Sequence, residues 1–229
     1  MTGSIVLQQP DARAEQLLLL FHGVGGTPQD LAPLGRLLAG AFPKALVVGV
    51  QAPDAGDFGR GHQWFSAAGI TDDNRPARVA QAMPAFLAEI ARWQSMAGIG
   101  SAATALIGFS QGAIMALEST KAEVAPAGRV VALAGRFAQL PTIPVQATTI
   151  HMIHGKDDRV IAYGLTVSAV QHLLALGTDV TADVLPSVGH DLPDAMAALV
   201  IERLRGYLPQ RHWREAMQSA AKLGGNGRV

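Results

Sequence analysis

Short apolar runs alternate with longer amphipathic segments along most of this chain, and this alternation limits the folds that it can adopt. The apolar runs have the length of β-strands, and the segments between them have helical periodicity. Strands that alternate with helices form a mainly parallel sheet with helices on both faces, because each parallel connection crosses over the sheet. The sequence therefore predicts the α/β class, with strands at residues 16–21, 45–52, 104–109, 128–135, 147–155 and 179–186, and helices at 30–42, 77–98, 111–120, 162–177 and 192–208.

Length and apolar content predict a single domain. The chain has 229 residues, 49% of them hydrophobic, which is enough for a large core. It contains no repeat, no low-complexity linker and no sign of a second core. We expect one domain over residues 1–208, followed by a C-terminal extension over 209–229. The extension is predicted to hold a short helix around Trp213 and Met217 and then a glycine-rich, frayed end.

Charge and cysteine content exclude several classes of function. Lysine and arginine number 18, as do aspartate and glutamate, so nothing favours binding to nucleic acid or to an anionic membrane. The absence of cysteine excludes disulfides, thiolate metal sites and a cysteine nucleophile. The first residues lack the pattern of a secretory signal, and the apolar run at 17–21 is too short to span a bilayer. We expect a cytoplasmic protein without stable membrane insertion; the sequence does not predict its oligomeric state.

A serine lies between the predicted strand at 104–109 and the predicted helix at 111–120. The stretch "ALIGFSQGAIMALE" contains the motif Gly-x-Ser-x-Gly, with Ser110 flanked by Gly108 and Gly112. The motif is too short to be evidence alone, but a strand before it and a helix after it are the context of a nucleophile elbow. The two glycines allow the turn to pack closely. Ser110 is therefore the candidate nucleophile; the alternative is a simple N-cap.

A serine nucleophile needs a histidine base, and the base needs an acid that orients it. On α/β folds with this elbow the three follow the chain order serine, acid, histidine. His190 lies between a predicted strand end and a helix start, where catalytic groups gather, whereas His172 lies within a helix and His212 in the extension. His190 is therefore the predicted base; the alternative is a loop histidine that caps the next helix.

The acid should also follow a strand. Asp157 and Asp158 come directly after the predicted strand at 147–155, and spacing alone does not separate them. Asp179 and Asp183 fit less well, because they belong to the start and the face of the next strand. His154, beside the candidate acids, is expected to be a structural histidine at the strand end rather than a second base.

Acyl transfer also requires hydrogen-bond donors for the developing oxyanion. One donor is the amide of the residue after the serine, Gln111, and the other should come from the loop after an early strand. That loop is "FHGVGGTPQD", in which Val24 is the predicted donor. His22 is expected to brace the loop through its ring nitrogens. The loop lacks the lysine of a P-loop and the spacing of a dinucleotide-binding motif.

Five motifs together resemble the phospholipase/carboxylesterase family of α/β-hydrolases, which includes the acyl-protein thioesterases. These motifs are "LLLFHGVGGT", "HQWFSAAGI", "LIGFSQGAIMALE", "HMIHGKDDRVI" and "SVGHDL", in this order over most of the chain. The resemblance implies the α/β-hydrolase fold and a Ser-Asp-His triad. It implies that Asp158, the fifth residue counted from the histidine of "HGKDD", is the acid. One departure is Ala113, where the family often has a further glycine.

The resemblance also assigns residues around the triad. The oxyanion donors of the family fall on the amides of Val24 and Gln111. Trp64 and Phe65, in an irregular stretch at 54–70, match an aromatic element beside the acyl pocket, and the alternative for this pair is loop packing. Loops of such length in compact domains are usually functional.

The predicted activity is hydrolysis of small-molecule acyl esters or acyl thioesters through an acyl-enzyme on Ser110. His190 acts as the base, Asp158 orients it, and no metal or organic cofactor takes part. Two other functions remain open. A fold of this class can serve as a binding module without catalysis, although such a relative would be expected to lack one triad residue. An acyltransferase would share the acyl-enzyme and differ only in the group that attacks it.

Overall fold

The computed structural model describes residues 3–225, and within them the backbone forms one seven-stranded sheet and one two-stranded ribbon. The strand order of the sheet is β1-β3-β2-β6-β7-β8-β9. All neighbours pair in parallel except β1, which lies antiparallel to β3 at one edge. The strands are β1 (Ile5–Gln8), β2 (Gln16–Phe21), β3 (Ala45–Val50), β4 (Asp54–Ala55), β5 (His62–Gln63), β6 (Thr104–Phe109), β7 (Arg129–Leu133), β8 (Thr149–Gly155) and β9 (Val180–Leu185).

The mainly parallel sheet confirms the predicted α/β class, and all six predicted strands form. Three strands were not predicted. β1 has only four residues and is partly exposed, and its apolar run is too short to indicate a strand. β4 and β5 have two residues each and pair within the stretch at 54–70, which is too short a pairing to leave a periodic pattern.

All five predicted helices form, with shifted ends. They are α1 (Ala32–Ala41), α2 (Arg75–Ala97), α3 (Gln111–Ser119), α4 (Gly164–Ala175) and α5 (Asp194–Gly206). α2 continues through Pro84. The predicted short helix of the extension is longer than expected, since α6 covers Gln210–Gly225; the end of the predicted frayed segment lies outside the described residues. Among residues 3–225, no helix is long and apolar enough to cross a membrane.

Both faces of the sheet are buried, each under its own set of helices. In β2, Leu17, Leu19 and Phe21 enter the cluster beneath α2, α3 and α4. The intervening Leu18 and Leu20 enter the cluster beneath α1 and α5. Burial on both faces explains why the central strands are continuously apolar instead of alternating.

The extension is attached at the amino ends of the strands, away from the site described below. The Tyr207 hydroxyl donates to Asp179 Oδ1 at 2.6 Å, and Arg211 donates to Thr149 Oγ1 at 2.9 Å and to the Gly128 carbonyl at 3.2 Å. Burial, with the hydrogen bond to Asp179, raises the pKa of Tyr207 to about 12. These contacts fix the start of α6 at the edge of the sheet opposite to the loops that follow the strands.

The parallel strands bring the loops that follow them to the same end of the sheet, that of the strand carboxyl ends. β2, β3, β6, β7, β8 and β9 all end there, and the loops after β2, β3, β6, β8 and β9 carry most of the candidate site residues. In open α/β sheets this carboxyl edge is where ligands bind.

We predict that Gly108→Ala lowers the free energy of unfolding by about 1–3 kcal/mol, the cost typical of overpacking. A Cβ at Gly108 would lie 2.4 Å from the carbonyl oxygen of Gly112 and 2.5 Å from the amide nitrogen of Ala113, so α3 would have to move away from β6. Urea denaturation followed by circular dichroism measures this change.

The matched control is Gly40→Ala in α1, where a Cβ meets no atom within 4 Å. This variant should raise the free energy of unfolding by about 0.5–1 kcal/mol, because alanine favours the helix more than glycine does. Equal stability of Gly108→Ala and the wild type would contradict the close packing of the turn.

Candidate active site

Ser110 occupies the sharp turn between β6 and α3. Its φ of 53° and ψ of −112° lie where residues other than glycine are rarely found. The Ser110 amide donates to the Leu133 carbonyl at 2.9 Å, which ties the turn to β7. Gly112 packs against the end of β2, since a Cβ there would be 2.1 Å from the Phe21 carbonyl oxygen. Although Ser110 is at the N-cap position, its hydroxyl makes no capping hydrogen bond, so the simple N-cap interpretation does not explain it.

The Ser110 hydroxyl, the His190 ring and the Asp158 carboxylate form one continuous chain of hydrogen bonds. Ser110 Oγ is 2.9 Å from His190 Nε2, and His190 Nδ1 is 2.7 Å from Asp158 Oδ2. Because a carboxylate only accepts, Nδ1 carries the hydrogen and Nε2 accepts the hydroxyl hydrogen of Ser110. This geometry can pass a proton from serine to histidine while the carboxylate stabilises the resulting charge.

The Asp158 carboxylate is enclosed and fully hydrogen-bonded. Its Oδ1 accepts from the amides of Val160 and Ile161 at 2.8 and 2.9 Å. Burial raises the pKa of Asp158, but hydrogen bonds from His190, Ile161 and Val160 outweigh burial and hold the pKa below its usual value. Asp157 is exposed, so the geometry separates the two adjacent aspartates where spacing could not.

His154 is a second histidine in contact with Asp158, and the sequence did not indicate this contact. The side chain is 1% exposed; its Nε2 is 2.8 Å from the Ile161 carbonyl and 3.1 Å from Asp158 Oδ2. Its Nδ1 is 2.8 Å from Thr166 Oγ1 on α4. Since a carbonyl only accepts, Nε2 carries the hydrogen and Nδ1 accepts from the threonine. His154 is therefore a structural histidine, as predicted, and it also donates to the candidate acid.

The loop after β2 presents a backbone amide beside the serine. Gly23 lies close to the turn, since a Cβ on it would be 3.3 Å from the Ser110 Cβ. Within residues 3–225, the amides of Val24 and Gln111 donate to no other residue of the protein, and the amide of Gln111 is one of the free donors at the start of α3. Both predicted oxyanion donors are therefore free to bind a ligand.

His22 braces this loop as the sequence analysis expected. Its Nδ1 donates to the Gly23 carbonyl at 2.7 Å, and its Nε2 accepts from the Ala52 amide at 3.1 Å. Burial lowers the pKa of His22, which keeps the ring neutral in this role.

The side chain of Gln111, to which the sequence analysis gave no role, holds the loop that contains Trp64 and Phe65. Its Oε1 accepts from the Trp64 amide and its Nε2 donates to the Phe65 carbonyl, both at 2.8 Å. The Trp64 indole donates to the His22 carbonyl at 2.8 Å, and its ring packs against Phe21 and Phe86. Trp64 is only 2% exposed.

Trp64 and Phe65 line a cavity of about 480 Å³ on the α2 side, together with Arg78 and Ala85. Within the described chain, none of the residues that line this cavity is Ser110, Asp158 or His190. The pair packs the loop as the alternative predicted, and its part in substrate binding stays a prediction.

An exposed carboxylate organises the same loop. Asp57 accepts hydrogen bonds from the Gln63 side chain, the Ser66 hydroxyl and the amides of Ala67 and Ala68, at 2.7–2.9 Å. These bonds, led by that of Gln63, lower the pKa of Asp57 to about 2. Sequence patterns did not single out Asp57, since one aspartate in an irregular stretch carries no periodic signal.

Comparison with known proteins identifies the family. The model of the phospholipase/carboxylesterase family matches residues 2–207. The chain is 47% identical to esterase YpfH of Escherichia coli K12 over 212 residues, which cover 93% of this chain and 91% of that protein.

Solved structures agree in fold. The crystal structure of esterase PE8 superposes with a TM-score of 0.83 at 27% identity, covering 90% of this chain and 99% of that one. The Bacillus cereus carboxylesterase superposes with a TM-score of 0.73 at 18% identity, covering 87% and 91%, and this likeness concerns the fold alone. The chain therefore belongs to the phospholipase/carboxylesterase family and is an ester hydrolase with the α/β-hydrolase fold.

Proposed function

We propose that this protein is a serine carboxylesterase that also accepts acyl thioesters, and that Ser110, His190 and Asp158 are its catalytic triad. The single observation that carries the proposal is the unbroken hydrogen-bond chain from Ser110 Oγ through His190 to Asp158 Oδ2. An isolated serine hydroxyl is a weak nucleophile near neutral pH, and this chain supplies the base that activates it.

The reaction is a double displacement. His190 Nε2 takes the Ser110 proton as Oγ attacks the acyl carbonyl carbon, and the amides of Val24 and Gln111 bind the oxyanion of the tetrahedral intermediate. The intermediate collapses, the bond to the leaving alcohol or thiol breaks, and His190 returns the proton to it. Water, activated by His190, then attacks the acyl-enzyme and releases the carboxylic acid.

Asp158 orients His190 and stabilises the imidazolium that forms in each half of the reaction. The carboxylate is suited to this role, because its four donors hold it ionised and in one orientation. We assign His154 a supporting role as a positioning residue, which fixes the carboxylate from the side opposite to the two backbone amides.

Esters and thioesters share the acyl carbon at which this chemistry takes place, so one site can process both. The match to the family and to a relative named an esterase supports the ester as substrate.

Product analysis with added alcohols or amines distinguishes hydrolysis from acyl transfer, because a transferase would form a new ester or amide in preference to the free acid.

We predict that Ser110→Ala lowers the kcat for p-nitrophenyl acetate by more than about 1,000-fold, because the variant forms no acyl-enzyme. A fluorophosphonate probe should label the wild type and leave this variant unlabelled. The control is Ser168→Ala, which removes an exposed serine on α4 and should keep wild-type rates and labelling. Retained turnover or labelling in Ser110→Ala would refute the nucleophile.

We predict that His154→Phe lowers kcat by about 10- to 100-fold with little change in KM, because a displaced Asp158 misorients His190. The rate of fluorophosphonate labelling should fall in parallel. Thr166→Val keeps the His154 ring and removes its hydroxyl partner, so its effect should be smaller. Thermal unfolding shows whether each variant is folded at the assay temperature; a folded His154→Phe with wild-type kcat would rule out the positioning role.

A further inference from the structure

A second cavity, of about 460 Å³, opens beside the candidate active site on the α1 side of the sheet. We call it the α1 cleft. Its size lies in the range of small-molecule sites. Its apolar wall comes mainly from the loop after β2, from α1 and from the segments around Ser110 and His190. It includes Val24, Leu31, Leu34, Leu37, Phe109 and Leu192.

Ser110, Asp158 and His190 are not among the described residues that line the α1 cleft, but close neighbours in sequence of the first and the last are: Phe109, Asp191 and Leu192. Gly23 lines the cleft and lies close to Ser110, since a Cβ added at Gly23 would be 3.3 Å from the Ser110 Cβ. Phe109 lines it and packs on the His190 ring, with centroids 5.1 Å apart. Val24, whose amide is a proposed oxyanion donor, forms part of the wall. A chain attached to a carbonyl carbon held by that amide therefore has an apolar surface directly beside it.

Exposed apolar side chains in the wall of the cleft favour an apolar ligand. Val24 is 40% exposed and Leu37 is 45% exposed, although both are large apolar side chains that line the cleft. An apolar ligand that covers them gains free energy from the surface removed from water. The Trp64–Phe65 cavity differs, because it contains Arg78 and Asp54 and its Trp64 ring is already buried.

The charged side chains among the described residues that line the α1 cleft are all acidic. Asp30, Asp191 and Asp194 contribute to its lining, and none of the described residues that line it is a lysine or an arginine. Its one histidine is His22, which burial keeps neutral. A negatively charged ligand would meet these carboxylates with no cation to compensate them.

We propose that the α1 cleft binds the acyl chain of the ester, and that its acidic border selects uncharged acyl chains over those ending in a carboxylate. This inference rests on the proposed function, because it takes Ser110 as the residue that is acylated. It moves the acyl site from the Trp64–Phe65 cavity, where the sequence analysis placed it, to the opposite face of the sheet.

The first test uses p-nitrophenyl acetate, butyrate, hexanoate and octanoate with paired variants. In the wild type, kcat/KM should rise by up to about fourfold per methylene until the cleft is full. Leu37→Asp should lower the hexanoate-to-acetate ratio of kcat/KM at least tenfold, because it places a charge in the wall. Leu37 is partly exposed, so the variant should fold.

The matched control is Ala85→Asp, which introduces the same charge at an exposed position of the Trp64–Phe65 cavity. It should keep the wild-type ratio. If Ala85→Asp abolishes the chain-length preference and Leu37→Asp does not, the acyl chain binds in the other cavity and the proposal is wrong. If the wild type hydrolyses the acetate and Ser110→Ala does not, the proposed function holds, whichever cavity binds the acyl chain.

The second test compares p-nitrophenyl hexanoate with the mono-p-nitrophenyl ester of adipic acid, which has six acyl carbons and a terminal carboxylate. The wild type should prefer the uncharged ester at least tenfold. Asp194→Asn, and separately high salt, should narrow this preference. Equal kcat/KM for the two esters, or a preference unchanged by both treatments, would overturn the charge selection.

Discussion

The candidate site depends on a close backbone contact between the start of α3 and the end of β2. Gly112 lies so near to the Phe21 carbonyl that no side chain fits between them, and Gly108 lies equally near to α3. The chain can pass from β6 into α3 at this distance only through a tight turn, and Ser110 therefore takes a backbone conformation that few residues tolerate. The same contact sets Ser110 beside Gly23 and brings the free amide of Gln111 to the loop after β2. One close backbone contact therefore positions both the proposed nucleophile and the proposed oxyanion donors.

Much of the fold could be predicted from the sequence, because parallel strands buried on both faces leave continuous apolar runs. The elbow, His190 and the loop after β2 could be located for a related reason: each follows a strand, and the carboxyl ends of parallel strands meet. β1 could not be predicted, since its apolar run is only three residues long. Asp157 and Asp158 could not be separated by spacing, because neighbouring residues differ in the direction of their side chains and not in their place in the fold.

Contacts between side chains of different elements could not be predicted from the sequence, for another reason. The Gln111 side chain holds residues 64 and 65, which are 46 or more positions away, and His154 meets Asp158 only because the chain turns back after β8. The first contact joins distant segments, and the second depends on the direction of the turn after β8, so neither leaves a periodic pattern. The α1 cleft is formed by segments from the first fifth, the middle and the last fifth of the chain, so its apolar residues look in the sequence like ordinary parts of three separate elements.

The hydrogen-bonded pairs of the candidate site differ widely in their separation along the sequence. His154 and Asp158 are 4 residues apart, Asp158 and His190 are 32 apart, and His190 and Ser110 are 80 apart. Loop-closure entropy grows with separation, and long-range pairings slow folding. The acid and its local donors need only the end of β8 and the turn after it, whereas the serine–histidine contact needs β6 to β9 paired in register. In refolding, we therefore expect enzyme activity to return only when that half of the sheet is complete, later than the helical circular dichroism signal.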